Sequence, residues 1–211
     1  MSIIRAGKHL YQRELITATD GNLSCQVGSR LLVTRSGVCK GDLQVEDILD
    51  YPRGTPYSRM EGASSEFRLH LALYKKRPDI KAVVHAHPIY VNTLLFSNYG
   101  ERLVNSDFCP EAYVNVYPIT LVPYETPGTD KLARVFRSLI TPESNVYLLN
   151  RHGVIAGGET LEEAVFAIEK LEYCARIIVQ SMGFKQGLLY LTPEERHALE
   201  GYRKQKRHTK V

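Results

Sequence analysis

A chain of 211 residues, 44% hydrophobic and 24% charged, has the mass and apolar content to bury one globular core, and residues 1–211 read as a single domain. The four cysteines, Cys25, Cys39, Cys109 and Cys174, are far apart and form no C-x-x-C pair, which argues against a disulfide framework or a cysteine-ligated zinc site and for reduced thiols. No apolar run approaches the roughly 20 residues that span a bilayer, and the start Met1-Ser2-Ile3-Ile4-Arg5 lacks the charged-then-apolar order of a secretory signal, so the expected location is cytoplasmic with no membrane contact. The net charge of +4 is mild and concentrated near the C-terminus, which suits an anionic small molecule without demanding one.

In chain order, Ile3, Ile4, Leu10, Tyr11 and Leu15 fall at helical spacing and predict an amphipathic first helix within residues 2–15. The turn-prone Thr19-Asp20-Gly21-Asn22 ends it. Strands at Leu23–Val27 and Arg30–Thr34 follow, joined by the two-residue turn Gly28-Ser29, and the second runs into the small-residue loop Arg35-Ser36-Gly37. A further strand is expected near Asp47–Tyr51 and a helix from Ser64-Ser65-Glu66 to about Lys76, with serine as its cap and Glu66 in its first turn. The apolar run Ile80–Val84 then leads into His85-Ala86-His87-Pro88 and a helix to about Ser97. Residues 99–128 read as loops around one strand, Ile119–Val122. A helix over Lys131–Ile140, strands at Asn145–Leu149 and Val154–Ala156, and the longest helix, Thr160–Met182, complete the pattern. A final short helix runs from Thr192 to about Lys204, and a basic tail begins at about 203. We read that tail as a solvated terminus rather than a nucleic-acid contact.

The chemistry centres on His85 and His87. Side chains two apart on a strand share a face, so the two imidazoles converge while Ala86 points away, forming half of a transition-metal site. His152, at the junction of a strand and Gly153, is a candidate third ligand; His70, His9, His197 and His208 are the other histidines available. Three imidazoles with one exchangeable position describe a catalytic zinc site. Spacing alone does not join His152 to the pair. Ser64-Ser65 at a helix start, and Gly21-Asn22 and Ser36-Gly37 in loops, offer donors to a phosphate. On sequence alone, the plainer reading of Ser64 as a cap and of the glycines as turn residues comes first.

Five segments together carry a resemblance: Gly21-Asn22-Leu23-Ser24, Thr34-Arg35-Ser36-Gly37, Ala63-Ser64-Ser65-Glu66, Val83-Val84-His85-Ala86-His87-Pro88 and Asn150-Arg151-His152-Gly153. In order and approximate spacing they resemble the class II aldolase/adducin family, most of all its L-fuculose-phosphate aldolase branch, over about residues 3–182. The resemblance implies an α/β fold, three-layer α/β/α around a central, largely antiparallel sheet, assembled as a homotetramer with active sites at subunit interfaces. It implies His85, His87 and His152 as zinc ligands, with Glu66 as the acid/base residue that also reaches the metal when no substrate is bound. Asn22, Ser36, Gly37, Ser64 and Ser65 match the phosphate-binding positions. Co²⁺, Mn²⁺ or Fe²⁺ suits the same donors.

The implied activity is retro-aldol cleavage of a ketose 1-phosphate to dihydroxyacetone phosphate and an aldehyde. Related members act as sugar-phosphate epimerases, dehydratases or decarboxylases, and adducin-like members are non-catalytic binding proteins without a complete metal triad. A glutamate at position 66 favours the aldolase branch over the epimerases, which carry an aspartate there. Departures from the pattern are Arg35 and Ala63, both at positions where proline is usual, and a short segment from Tyr113 to Tyr124. Tyr113 is the candidate for the family's proton-donating tyrosine, with Tyr117 as its alternative and Tyr202 a remote match for the C-terminal one.

Overall fold

A computed structural model describes residues 1–105 and 107–208, with the backbone alone over 204–208. Helix α1 (Ile3–Gln12) is capped by the Ser2 hydroxyl, which accepts from the Arg5 N–H, and it buries Ile3, Ala6 and Leu10. It is shorter than the periodicity predicts. After Arg13 the chain turns through left-handed backbone at Glu14 and Ala18, so Leu15 and Ile16 reach the core from a loop. Strands β1 (Asn22–Val27) and β2 (Arg30–Thr34) form the expected hairpin, closed by the Val27↔Arg30 pair, and β3 (Ile48–Pro52) pairs with β2.

Next come α2 (Phe67–Lys76), β4 (Ala82–Ala86) and α3 (Ile89–Leu95). Beyond them lie α4 (Gly100–Val104), α5 (Pro110–Asn115), β5 (Ile119–Val122), α6 (Asp130–Ser138), β6 (Val146–Leu149), β7 (Gly153–Gly158), α7 (Leu161–Ser181) and α8 (Pro193–His208). Helices α4 and α5 correct the expectation of loops. They are too short to show a periodic stripe, and packing of Leu103 and Ala112 holds them, with Pro110 starting α5 where its missing N–H costs nothing. The basic tail from about 203 begins inside α8, and residues 209–211 lie outside the described residues.

The seven strands form one sheet in the order β3-β2-β1-β4-β7-β6-β5, antiparallel throughout except for the parallel β5–β6 pair. Strand alternation splits the core in two. Leu23, Val84, Ala86, Leu148 and Val154 pack toward α1, α3 and α7, while Leu31, Val33, Val83, Tyr147 and Ile155 pack toward α2 and α6. The result is the three-layer α/β/α arrangement. On α7, Leu161, Ala164, Val165, Ile168, Leu171 and Ala175 are buried as the periodicity requires. Glu172, on the same stripe, accepts from the Tyr90 and Val91 backbone N–H groups and thereby caps α3. No helix among the described residues is long and apolar enough to cross a membrane.

Candidate metal centre and phosphate loops

One end of the sheet gathers the chemistry. β4 ends at Ala86, and His87 lies one residue beyond, its N–H donating to the Leu15 carbonyl at 3.0 Å. The two rings still converge, with Nε2 atoms 2.9 Å apart. β7 runs beside β4 with His85 opposite Ile155, and the tight Asn150–His152 turn before it carries His152 to the same spot. Two local features make this turn possible. Arg151 adopts left-handed backbone with φ 52°, and Gly153 leaves room that a Cβ would fill, 2.5 Å from His87 Cδ2 and 2.6 Å from the Ala86 carbonyl. Glu66, in the turn leading into α2, completes the group: its Oε1 is 2.7 Å from His152 Nε2 and its Oε2 is 3.2 Å from His85 Nε2.

The donor set fits a divalent cation. One atom from each of Glu66, His85, His87 and His152 lies within 4.8 Å of all the others. Ligand bonds of 2.0–2.1 Å in a tetrahedron place neighbouring donors about 3.3 Å apart, close to the 2.7, 2.9 and 3.2 Å separations seen. His85 Nδ1 faces the Val154 carbonyl at 3.0 Å and, as its donor, leaves the Nε2 lone pair directed at another imidazole nitrogen and a carboxylate oxygen. Electron-rich atoms crowded in this way call for a cation, and a bound metal would supply Lewis acidity to a substrate carbonyl.

The protons distribute accordingly when no metal is present. Burial alone would raise the Glu66 carboxyl, but the His85 and His152 rings outweigh it and hold Glu66 well below the usual carboxylate range. Burial likewise opposes a charge on His85, yet Glu66 pulls its affinity for a proton upward. His87, desolvated and repelled by the other two rings, is pushed down to about 3.

Beside this cluster lie the phosphate-matching residues. Asn22 pairs with His85 across β1 and β4, and its Oδ1 is buried with no partner among the described residues. Arg35 bridges to Ala63 and the Ser36 N–H donates to the Gly62 carbonyl at 2.8 Å, which brings Ser36-Gly37 against the 62–65 loop. Helix α2 starts at Phe67, later than expected, because Ser64, Ser65 and Glu66 form a preceding turn in which the Glu66 N–H donates to Ser64 Oγ at 3.3 Å. The hydroxyls of Ser36 and Ser65 take no partner among the described residues.

Residues 123–130 form a further wall that the sequence did not signal. Gly128 passes so close to Ser65 that a Cβ would sit 2.5 Å from its Oγ, and Arg68 binds the carbonyls of Ser65 and Gly128. At its other end Tyr124 stacks under Arg151, 4.0 Å from the guanidinium carbon. Lys40 is a second omission. Its ammonium is buried and donates to the Thr19 and Val38 carbonyls at 3.0 and 2.6 Å, clamping the loop before Gly21-Asn22 to the loop after Ser36-Gly37. A lone lysine in a polar loop gives no pattern to read.

Tyr113 is not part of this assembly within one chain. It lies on α5, which precedes the N-terminal end of β5, whereas the histidines crowd the opposite end of the sheet beside Val122 and Leu149. Its hydroxyl donates to Glu200 at 3.1 Å and its ring stacks on Tyr117. His70 is fully buried against Ser24, and His9 pairs with Glu169; neither joins the cluster.

Residues 1–179 match the family described as Class II Aldolase and Adducin N-terminal domain. The chain belongs to the class II aldolase and adducin family. Among curated relatives of this family member, the 3-oxo-tetronate 4-phosphate decarboxylase of Haemophilus influenzae is 32% identical over 209 residues, 94% of each chain. The L-fuculose phosphate aldolase of Methanocaldococcus jannaschii is 29% identical over 189 residues, 87% of this chain and 97% of that one. The crystal structure of the YgbL protein of Klebsiella pneumoniae superposes with a TM-score of 0.83 at 30% identity, covering 93% of this chain and 95% of its own.

Proposed function

We propose that this class II aldolase family member is a metal-dependent carbon–carbon lyase that generates the enediolate of dihydroxyacetone phosphate from a phosphorylated sugar derivative. The observation that carries this reading is the convergence of three imidazole nitrogens and the Glu66 carboxylate beside the Ser36-Gly37 and Ser64-Ser65 loops. Zinc suits the donor set, held by His85, His87, His152 and Glu66. Asn22, Ser36, Gly37, Ser64 and Ser65 would hold the phosphate, which fixes the three-carbon half of the substrate against the cluster.

The first reading of the reaction is decarboxylation of a 3-oxo sugar-acid phosphate. The C1–C2 bond breaks, carbon dioxide leaves, and the electron pair moves onto the C3 carbonyl oxygen. A proton from solvent, relayed by Glu66, then adds to C2 and gives dihydroxyacetone phosphate. Similarity to the decarboxylase over nearly the whole of both chains supports this reading, and so does its economy, since departing carbon dioxide needs no acid or base of its own.

Retro-aldol cleavage of a ketose 1-phosphate forms the same enediolate by breaking C3–C4, and similarity to the aldolase supports it as the second reading. There the leaving aldehyde requires removal of a hydroxyl proton. Tyr113 could serve only from a neighbouring copy, so this reading goes with the homotetramer and its interface sites. A coupled assay for dihydroxyacetone phosphate, run with and without chelator, tests the shared half, and carbon dioxide release separates the two. Absence of metal-dependent release from either substrate class overturns the proposal.

A further inference from the structure

A metal-ligating histidine almost always donates its outer ring N–H to a partner that fixes the ring. The three rings of the centre differ in this respect. His85 Nδ1 is fixed by the Val154 carbonyl at 3.0 Å, while His152 Nδ1 is buried with no partner among the described residues. Among the described residues only the outer nitrogen of His87 faces a carboxylate: Asp20 Oδ2 lies 3.7 Å from its Nδ1.

Asp20 is held in place for this. Its N–H donates to the Thr17 carbonyl at 2.8 Å and Thr17 Oγ1 donates to its Oδ2 at 3.2 Å, closing a turn on the carboxylate. The preceding residue, Thr19, is anchored by the buried Lys40 ammonium. The following residue, Gly21, takes φ 70° and passes so near the end of β4 that a Cβ would sit 2.7 Å from the His85 carbonyl. The loop from Leu15 to Gly21 thus wraps the outer side of His87, bonding its backbone at Leu15 and facing its ring at Asp20.

We infer that Asp20 is the positioning carboxylate of the metal centre, an inference that rests on the metal-lyase reading above. At 3.7 Å it acts through its charge. That charge favours the tautomer with the proton on Nδ1 and leaves the Nε2 lone pair turned toward Glu66, His85 and His152.

The experiment measures Zn²⁺ affinity of the full chain by competition with a chromogenic chelator, for wild type, Asp20→Asn and His87→Ala. It also records the visible spectrum of the Co²⁺-loaded proteins and the melting temperature of the metal-free ones. Asp20→Asn keeps the size of the side chain and an acceptor for Thr17 while removing the charge. The expected result is roughly 10-fold to 100-fold weaker Zn²⁺ binding, a shifted Co²⁺ spectrum and an unchanged metal-free melting temperature. Wild-type affinity in Asp20→Asn, with His87→Ala binding lost, overturns the role of Asp20 alone. Wild-type affinity in His87→Ala, or no Zn²⁺ binding by the wild type, overturns the metal reading and this inference with it.

Discussion

His85 stands on a strand paired on both sides and is fully buried, whereas Ser36 and Ser65 sit on exposed loops tied to one another by backbone bonds. The proposed metal half of the candidate site is therefore set by the sheet, and the proposed phosphate half by loops that Lys40 and Arg68 clamp. The difference follows the chemistry. Metal ligands must keep their donor atoms within a few tenths of an ångström, while a phosphate with several acceptor oxygens tolerates small shifts in its donors. Damage to the first half should consequently remove catalysis, and damage to the second should weaken binding.

The largest effect is expected for His85→Ala, which removes the ligand shared by both strand pairs. Metal content measured on the purified variant should fall close to zero and kcat by about 10³-fold or more. Full metal occupancy there would break the contrast between the halves. Glu66→Gln comes next, with kcat lowered by about 10²–10⁴-fold and inorganic phosphate bound as in wild type by calorimetry. A fully active variant would remove Glu66 from its role. Ser65→Ala should raise KM by about 10-fold, the loss of one hydrogen bond to a charged group, with kcat nearly unchanged. A kcat defect as large as that of Glu66→Gln would show that the halves are not separable.

The smallest effect at neutral pH concerns His70, beneath the site. Its imidazole is pushed down to about 3, first by burial and then by the charge of His85. The unfolded chain takes up that proton near the ordinary value of 6.5, so between those limits unfolding binds a proton and stability falls as pH falls. Urea unfolding of the wild type should lose about 3 kcal/mol from this group between pH 7 and pH 4. His70→Gln should show a correspondingly shallower slope, and identical slopes would contradict a neutral buried His70.

Local pattern determined much of this protein. The alternation around His85, the Gly28-Ser29 turn and the stripe on α7 all appear where side-chain periodicity places them, because each depends on neighbours within a few residues. The family resemblance and the residue types of the candidate site were legible for the same reason, since they sit in short motifs at fixed places. Only the tertiary structure decided which distant residues meet. His152 reaches His85 through the β4–β7 pairing, Asp20 faces His87 across a loop, Gly128 closes on Ser65, and Tyr113 lies at the far end of the sheet from the histidine cluster. Strand order and loop closure set those contacts, and neither leaves a period in the sequence.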